Sequence, residues 1–382
     1  MATSNPAKKI LFIKSGSFSE TNDSVYKILL TEYPDHTIDI VDASVIRKNK
    51  LPFYNLLLNG YFFLREYGAD IMLGEKKWRE SFFWFFETSY MSIQTSRMIK
   101  KLYAAGGYKF TFQTQSLFNG KLNGIPHFIY TDHTTQTNML YPDINPRQYM
   151  RSKRFIRKAE TQIYQDATIV FTFGSLISWS LINQYKIPES KVVTAFAGSN
   201  VSNTGTENPQ KYHSRNVLFV GIDWERKGGP ILLKAFEKVL KEFPDATLTI
   251  VGCDPGNIQL PNCNIAGRVP VEKVPGYYHL ATVFCLPTLR EPFGIVFVEA
   301  MNYQLPVVAN NIGCIPDMVK NDYNGYLIDN DINEYAEAIC KLFRDPEKCR
   351  QMGENGYHYA NSKFRWEIVG KKIKTNIDKR IA

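Results

Sequence analysis

The sequence predicts an α/β protein built as two doubly wound domains. Its 382 residues suffice for about two domains with ample cores. Short apolar runs alternate with helical patterns along most of the chain, as parallel βα units require. One polar stretch rich in Gly, Asn and Ser (GSNVSNTGTENPQKYHSR, residues 198–215) separates two such series and reads as a linker.

Composition narrows the partners. The hydrophobic fraction of 44% is ordinary for a globular chain, while aromatics, at 14%, are frequent. A net charge of +9 favours an anionic partner: a nucleotide, a phosphorylated acceptor or an acidic membrane surface. There is no zinc-finger spacing and no aromatic ribonucleoprotein motif, so no nucleic acid is expected. The six cysteines (Cys253, Cys263, Cys285, Cys314, Cys340 and Cys349) fall in the second half without CxxC spacing. They read as reduced thiols of a cytoplasmic protein. The opening MATSNPAKKILFIKSG has too short an apolar run for a signal peptide. No stretch approaches the roughly 20 apolar residues of a membrane span.

The first series opens with a strand over 9–14, a Gly/Ser turn containing Gly16, and a helix through Leu30. The turn is a candidate phosphate or substrate loop, although it is neither a P-loop nor GxGxxG. A second strand is expected over 37–41. Residues 44–104 are dense in aromatics, among them Phe53, Tyr54, Tyr61, Phe82, Phe83 and Trp84, interleaved with Arg65, Lys76, Lys77, Lys100 and Lys101. The run 78–101 reads as one helix, apolar all round at SFFWFFE and therefore partly buried. An aromatic core is the favoured reading of this region. An acceptor groove or a membrane-surface face is the alternative. Strands are expected over 108–112 and 127–130. The second runs into a loop with Asp132 and His133, at the strand end where open α/β sheets bind ligands. A hydrogen-bonded loop histidine is an equally good local reading. A basic helix over 150–166, a strand over 168–173, a helix over 176–185 and a strand over 191–195 complete the series.

The second series begins with a strand over 216–220 and the loop GIDWERKGG (221–229), then a helix from Pro230, a residue suited to the first helical position. Arg226 and Lys227 beside a Gly-rich helix entry form a candidate diphosphate clamp. Strands over 247–251 and 263–266 follow, then Gly267-Arg268-Val269-Pro270 and a short helix around 277–280. A strand over 283–287 leads into LREPFGIVFVEAM. A helix of about three turns is expected from Ile295 to the break at Gln304-Leu305-Pro306. Gly294 lets the backbone pass close to a ligand, and the free N–H groups of the helix start make an anion site. The acids Glu291 and Glu299 are spaced E-x7-E. Acids near a helix start are favoured by its dipole, but Glu299 sits in apolar company and must pair or face a ligand. Carboxylates suit hydroxyls, and the helix start suits phosphate. Asp329 and Asp331 form a D-x-D that reads as capping for a helix over 334–343 rather than as a metal site. A basic helix over 363–380 ends the chain.

Several of these stretches together resemble the family-four retaining glycosyltransferases of the GT-B fold. They are FVGIDWERKGG (219–229), NIAGRVP (264–270), LPTLREPFGIVFVEAM (286–301) and NGYLI (324–328), with weaker likeness at HFIYTDHT (127–134) and KVVTAFAGSNV (191–201). Residues 44–104 match poorly, in the domain where such enzymes choose acceptors. The resemblance implies two Rossmann-like domains facing across a cleft. The acceptor side would be residues 1–205 and the nucleotide-sugar side 206–362, with 363–382 packing back on the first. Glu299 would hold the ribose hydroxyls, and Glu291 the sugar ring. Backbone at Phe293, Gly294, Ile295 and Val296 would lie near sugar and diphosphate, with Arg268 and Val269 also on the donor. Lys227 would bind the diphosphate. The family often has an arginine where this chain has Ile222, which leaves Arg226 as its candidate substitute. His133 would approach the sugar's outer hydroxyl, and Gly16 would face the diphosphate.

The implied activity is transfer of a sugar from a nucleotide-diphosphate sugar to a hydroxyl on a glycan, lipid or small molecule. No metal or other cofactor is expected. The leaving phosphate takes the acceptor's proton, so neither glutamate need be a base, and the pair is not the acid pair of a glycoside hydrolase. The alternatives are a sugar-nucleotide binding protein without transfer, or a nucleotide-sugar epimerase on the same fold. Cytoplasmic placement, with peripheral association at a membrane surface, is the expected location.

Overall fold

The structure is a computed structural model and describes residues 8–16, 21–49, 53–72, 85–142, 144–201 and 208–381. Two compact units are present. One comprises Met1–Leu140, Ile144–Ala195 and Gly370–Ala382; the other comprises Tyr141–Asp143 and Phe196–Val369.

The first unit holds six parallel strands: β1 (Lys9–Lys14), β2 (Thr37–Asp42), β3 (Phe110–Thr114), β4 (His127–Thr131), β5 (Ile169–Thr172) and β6 (Val192–Thr194). Their order in the sheet is β2-β1-β3-β4-β5-β6. Every residue of β3, β4 and β5 is buried, as expected of strands covered on both faces. The order reverses between β1 and β3, so the loops leaving those strands flank a topological switch point. The helices are α1 (Thr21–Glu32), α2 (Ala43–Asn49), α3 (Phe53–Met72), α4 (Ser89–Tyr103), α5 (Pro146–Asp166) and α6 (Ser175–Asn183).

The expected single helix over 78–101 is not what forms. Helix α4 starts at Ser89, where Thr88 Oγ1 accepts the N–H of Met91 (3.1 Å). The side-chain cap outweighs the apolar run before it. Residues 78–84, with Trp78, Phe82, Phe83 and Trp84, lie outside the described residues. Helix α3 has no counterpart in the sequence reading. The aromatic region also divides: Phe63 and Tyr67 are buried, whereas Phe53, Tyr54 and Tyr61 are exposed. A core reading therefore covers only part of it.

The second unit repeats the plan. Its strands β7 (Asn216–Val220), β8 (Thr247–Val251), β9 (Cys263–Gly267), β10 (Val283–Leu286), β11 (Val307–Asn310) and β12 (Gly325–Ile328) are parallel, in the order β12-β11-β10-β7-β8-β9. The switch point here lies between β7 and β10. Helices α7 (Gly229–Glu242), α8 (Val274–Leu280), α9 (Ile295–Asn302), α10 (Ile315–Met318), α11 (Ile332–Arg344), α12 (Pro346–Lys363) and α13 (Trp366–Ile381) follow in chain order. Helix α9 is shorter than its pattern implied, eight residues ending at Asn302, because Gln304 takes a positive φ of 54°. Asp331 caps α11, its Oδ1 accepting from Asn333 N (2.7 Å) and Glu334 N (3.0 Å). Of the D-x-D, Asp331 is thus a helix cap, while Asp329 accepts from the Asn311 side chain (3.0 Å). From Gly370 onward α13 belongs with the first unit, where Tyr33 donates to Asp378 (3.1 Å). The six cysteines are free thiols.

Candidate functional site

The two loops that leave β7 and β10 at the second unit's switch point are stitched together. Leu289 N donates to the Arg226 carbonyl (2.9 Å), and Arg226 Nη1 donates to the Arg290 carbonyl (2.9 Å). Lys227 Nζ donates to Glu291 Oε2, and both side chains are buried. Asn310 holds the second loop from below, donating to the Thr288 carbonyl (3.1 Å) while accepting from Asn330 N (3.0 Å).

Glycine is required at two points of this joint. Gly228 has φ +77°, and a Cβ there would lie 1.9 Å from the Pro287 carbonyl oxygen. Gly294 has φ +94° and caps α9, and a Cβ would meet the Phe297 ring at 2.5 Å and Glu291 Cγ at 3.0 Å. The glycine thus lets the chain turn into α9 while the Glu291 side chain folds beneath it. The first N–H groups of α9 have no partner within the helix and form an anion-favouring end.

Glu299 lies one turn into α9 and is buried. Its Oε2 accepts from the phenol of Tyr278 (3.1 Å), which burial, with the nearby Glu299 charge, keeps protonated far above its ordinary pKa. Tyr278 stacks on Tyr303, with ring centroids 5.5 Å apart. The sequence reading missed Tyr278 and Asn310. No motif marks them, and only their contacts with Glu299 and Thr288 give them a role.

The remaining predicted residues fall into three groups. Arg226 lines a hollow of about 730 Å³ together with Arg268, Ile222, Asp223 and Cys253. Its guanidinium is engaged by Asp223 Oδ2 (3.2 Å) as well as by the Arg290 carbonyl, so Arg226 braces the joint. Phe293 is buried, while Ile295, Val296 and Val269 are partly exposed. Gly16 and His133 belong to the first unit.

In that unit Gly16 has φ +63° and donates its N–H to Asp42 Oδ1 (3.2 Å). Its carbonyl accepts from Asn22 (2.8 Å). His133 Nδ1 pairs with Asp132 Oδ1 (2.7 Å). Burial works against the protonated ring. The Asp132 carboxylate, by charge and by that bond, outweighs it with help from Glu160 and Glu87, and the pKa rises to about 9. At neutral pH His133 is thus a cation and a donor. Its loop is fixed by a group the sequence did not single out. Buried Glu160 accepts from Thr135 N (3.1 Å), Tyr164 (3.0 Å), Ser116 (3.0 Å) and Tyr185.

Residues 206–359 match the family described as Glycosyl transferases group 1. The chain is 26% identical over 252 residues to spore coat protein SA of Bacillus subtilis (strain 168), covering 57% of this chain and 67% of that protein. It is 29% identical over 166 residues to a GDP-mannose-dependent alpha-(1-6)-phosphatidylinositol monomannoside mannosyltransferase of Mycobacterium tuberculosis (strain CDC 1551 / Oshkosh), covering 39% of this chain and 43% of that protein. The matched part is thus under half of the mannosyltransferase's own length. Among solved structures, a sucrose-phosphate synthase from Thermosynechococcus elongatus superposes with TM-score 0.68 at 17% identity over 98% of this chain and 99% of that one. An Anabaena protein solved in complex with UDP gives 0.65 at 14% identity over 97% and 100%. At such identities the likeness is one of fold. Residues 206–359 are thus similar to the group 1 glycosyl transferases, and the chain has the GT-B fold of two parallel α/β sheets.

Proposed function

We propose that this chain transfers a sugar from a nucleotide-diphosphate sugar to a hydroxyl acceptor, with retention at the anomeric carbon and without a metal. The observation that carries the proposal is the joint of Lys227 and Glu291 beside the start of α9, with Glu299 buried one turn further along.

Lys227 and the N–H groups of Gly294 to Val296 take the diphosphate, Glu291 the sugar hydroxyls and Glu299 the ribose hydroxyls. Arg268 and Val269 border the nucleotide. Arg226 acts through the loop it braces rather than as the main phosphate contact. As the anomeric carbon–oxygen bond breaks, negative charge grows on the leaving diphosphate, where Lys227 and the helix end stabilise it. The acceptor oxygen forms the new bond, and its proton passes to the departing phosphate. His133, protonated at neutral pH, is a hydrogen-bond donor and not a base.

Similarity leaves the nucleotide open, because the mannosyltransferase relative is named for GDP-mannose whereas the Anabaena neighbour holds UDP. The test is incubation with UDP-glucose, UDP-N-acetylglucosamine and GDP-mannose, each with and without EDTA. Slow release of nucleoside diphosphate without acceptor, insensitive to EDTA, is expected for one donor. Binding without release makes the chain a sugar-nucleotide binding protein, and neither binding nor release of any donor overturns the proposal.

A further inference from the structure

Helix α3 has a large apolar ridge on its exposed face. Its inward face combines the buried rings of Phe63 and Tyr67 with polar side chains pinned to residues 85–90. Asn55 accepts from the Tyr90 hydroxyl (2.6 Å). Asn59, fully buried, donates to the Phe85 carbonyl (2.6 Å) and accepts from Thr88. Glu66 takes both the N–H of Ser89 (3.0 Å) and its hydroxyl. The outward face is apolar: Phe53 (74% exposed), Tyr54, Leu57 (67%), Leu58, Tyr61 and Leu64 (63%). At about 100° per residue these six fall within an arc of about 140°. A helix that only covered its own core would turn this face inward. The buried amides and carboxylate prevent that, since rotation would strand them without partners.

A basic cavity adjoins the ridge. It has a volume of about 1090 Å³, lies between α4 and α5, and is lined by Arg97, Lys100, Arg154, Arg157 and Lys158. Its lining includes no Asp or Glu among the described residues. The adjoining acids are held elsewhere: Glu66 by Ser89, Glu160 by Tyr164 and Tyr185, and Asp166 by Asn119 (2.7 Å) and Lys121 (3.6 Å). Ridge and cavity meet where Arg65 of α3 lies over the Phe155 ring, 4.5 Å from its centroid, Phe155 being itself part of the cavity wall.

We propose that this surface seats the protein on an anionic lipid bilayer. Helix α3 lies in the interface with its ridge among the acyl chains, and the cavity's cations hold lipid phosphates. Charge complementarity selects this occupant. A second copy would match the ridge but bring its own five cations alongside. A nucleic acid would satisfy the cations but leave the ridge in water. An anionic lipid surface satisfies both. Docking is peripheral, for no helix among the described residues is long and apolar enough to cross a membrane.

The test is co-sedimentation of the full chain with vesicles of phosphatidylcholine alone, and of phosphatidylcholine with about one third phosphatidylglycerol. Binding to the anionic vesicles only is expected, falling steeply in about 0.5 M NaCl. A Leu57→Ser/Tyr61→Ser/Leu64→Ser variant should bind at least about tenfold more weakly. Its unfolding midpoint should fall by only a few degrees, the cost of Ser within a helix, because these side chains are largely exposed in the free chain. An Arg154→Gln/Lys158→Gln variant should lose binding while remaining folded. No binding to anionic vesicles, equal binding to neutral ones, or an unaffected triple variant overturns the proposal. So does self-association that the triple variant abolishes while vesicles stay unbound.

Discussion

Lys227 and Glu291 lie 64 residues apart, on loops from two neighbouring strands, and are joined by a buried Nζ–Oε2 bond. The strand order sets this pair. Strands β7 and β10 are adjacent only because the sheet grows first to one side of β7 and then to the other. The pair holds the joint, and under the proposed function it offers one cation to phosphate and one carboxylate to sugar hydroxyls. Removing one partner leaves the other charged and buried. Lys227→Met or Glu291→Leu alone should therefore cost about 3–5 kcal/mol of stability. The double variant should cost less than the sum of the two. Urea unfolding of the four proteins of the cycle measures this, and additive losses would show that the pair is not coupled.

The glycines of the joint differ from the glycine of the first unit's loop. Gly228→Ala places a methyl group against the Pro287 carbonyl, which cannot move without opening the joint. Gly16→Ala meets nothing within 4 Å and carries only the strain of φ +63°. Thermal melts should show a loss of about 1 kcal/mol for Gly16→Ala. For Gly228→Ala the loss should be several-fold larger, or the protein insoluble.

Tyr278→Phe removes the hydroxyl donor to Glu299 and nothing else. A buried carboxylate that loses one charged-group hydrogen bond should cost about 1.5–3 kcal/mol. Chemical denaturation of the variant checks this. A loss under about 0.5 kcal/mol would mean that the bond contributes little.

His133 supplies a pH signature. Its folded pKa, about 9, lies above the ordinary value of 6.5, so the protonated form is favoured by folding. The stabilisation is complete below pH 6.5 and is lost as pH rises through about 9. The ring resonances should titrate with a midpoint near 9, and Asp132→Asn should bring that midpoint down. A wild-type midpoint near 6.5 would remove His133 as a cation at neutral pH.

Much of this was legible in the sequence, for local reasons. Strands 216–220 and 247–251 are apolar runs bounded by polar turns, and they form over those residues. Glu299 stood out because a carboxylate in an apolar helix must have a partner. What stayed hidden depends on contacts between distant residues. Tyr278 reads as one more core aromatic until Glu299 is beside it. Arg226 looked like a free phosphate ligand because sequence does not show Asp223 and the Arg290 carbonyl already holding it. In α3 the Asn55, Asn59 and Glu66 positions are polar and the Leu57 and Leu64 positions apolar. That pattern gives the periodicity without saying which face turns inward.

The assignment of the donor site rests on Glu299 and the nucleotide ribose. Titration calorimetry of UDP and GDP against the wild-type chain and Glu299→Ala isolates that contact, since neither ligand carries a sugar for Glu291. For whichever nucleotide the wild type binds, Glu299→Ala should bind at least about tenfold more weakly, as loss of a charged-group hydrogen bond implies. Unchanged affinity, with the variant folded, would contradict the placement of the nucleotide at α9.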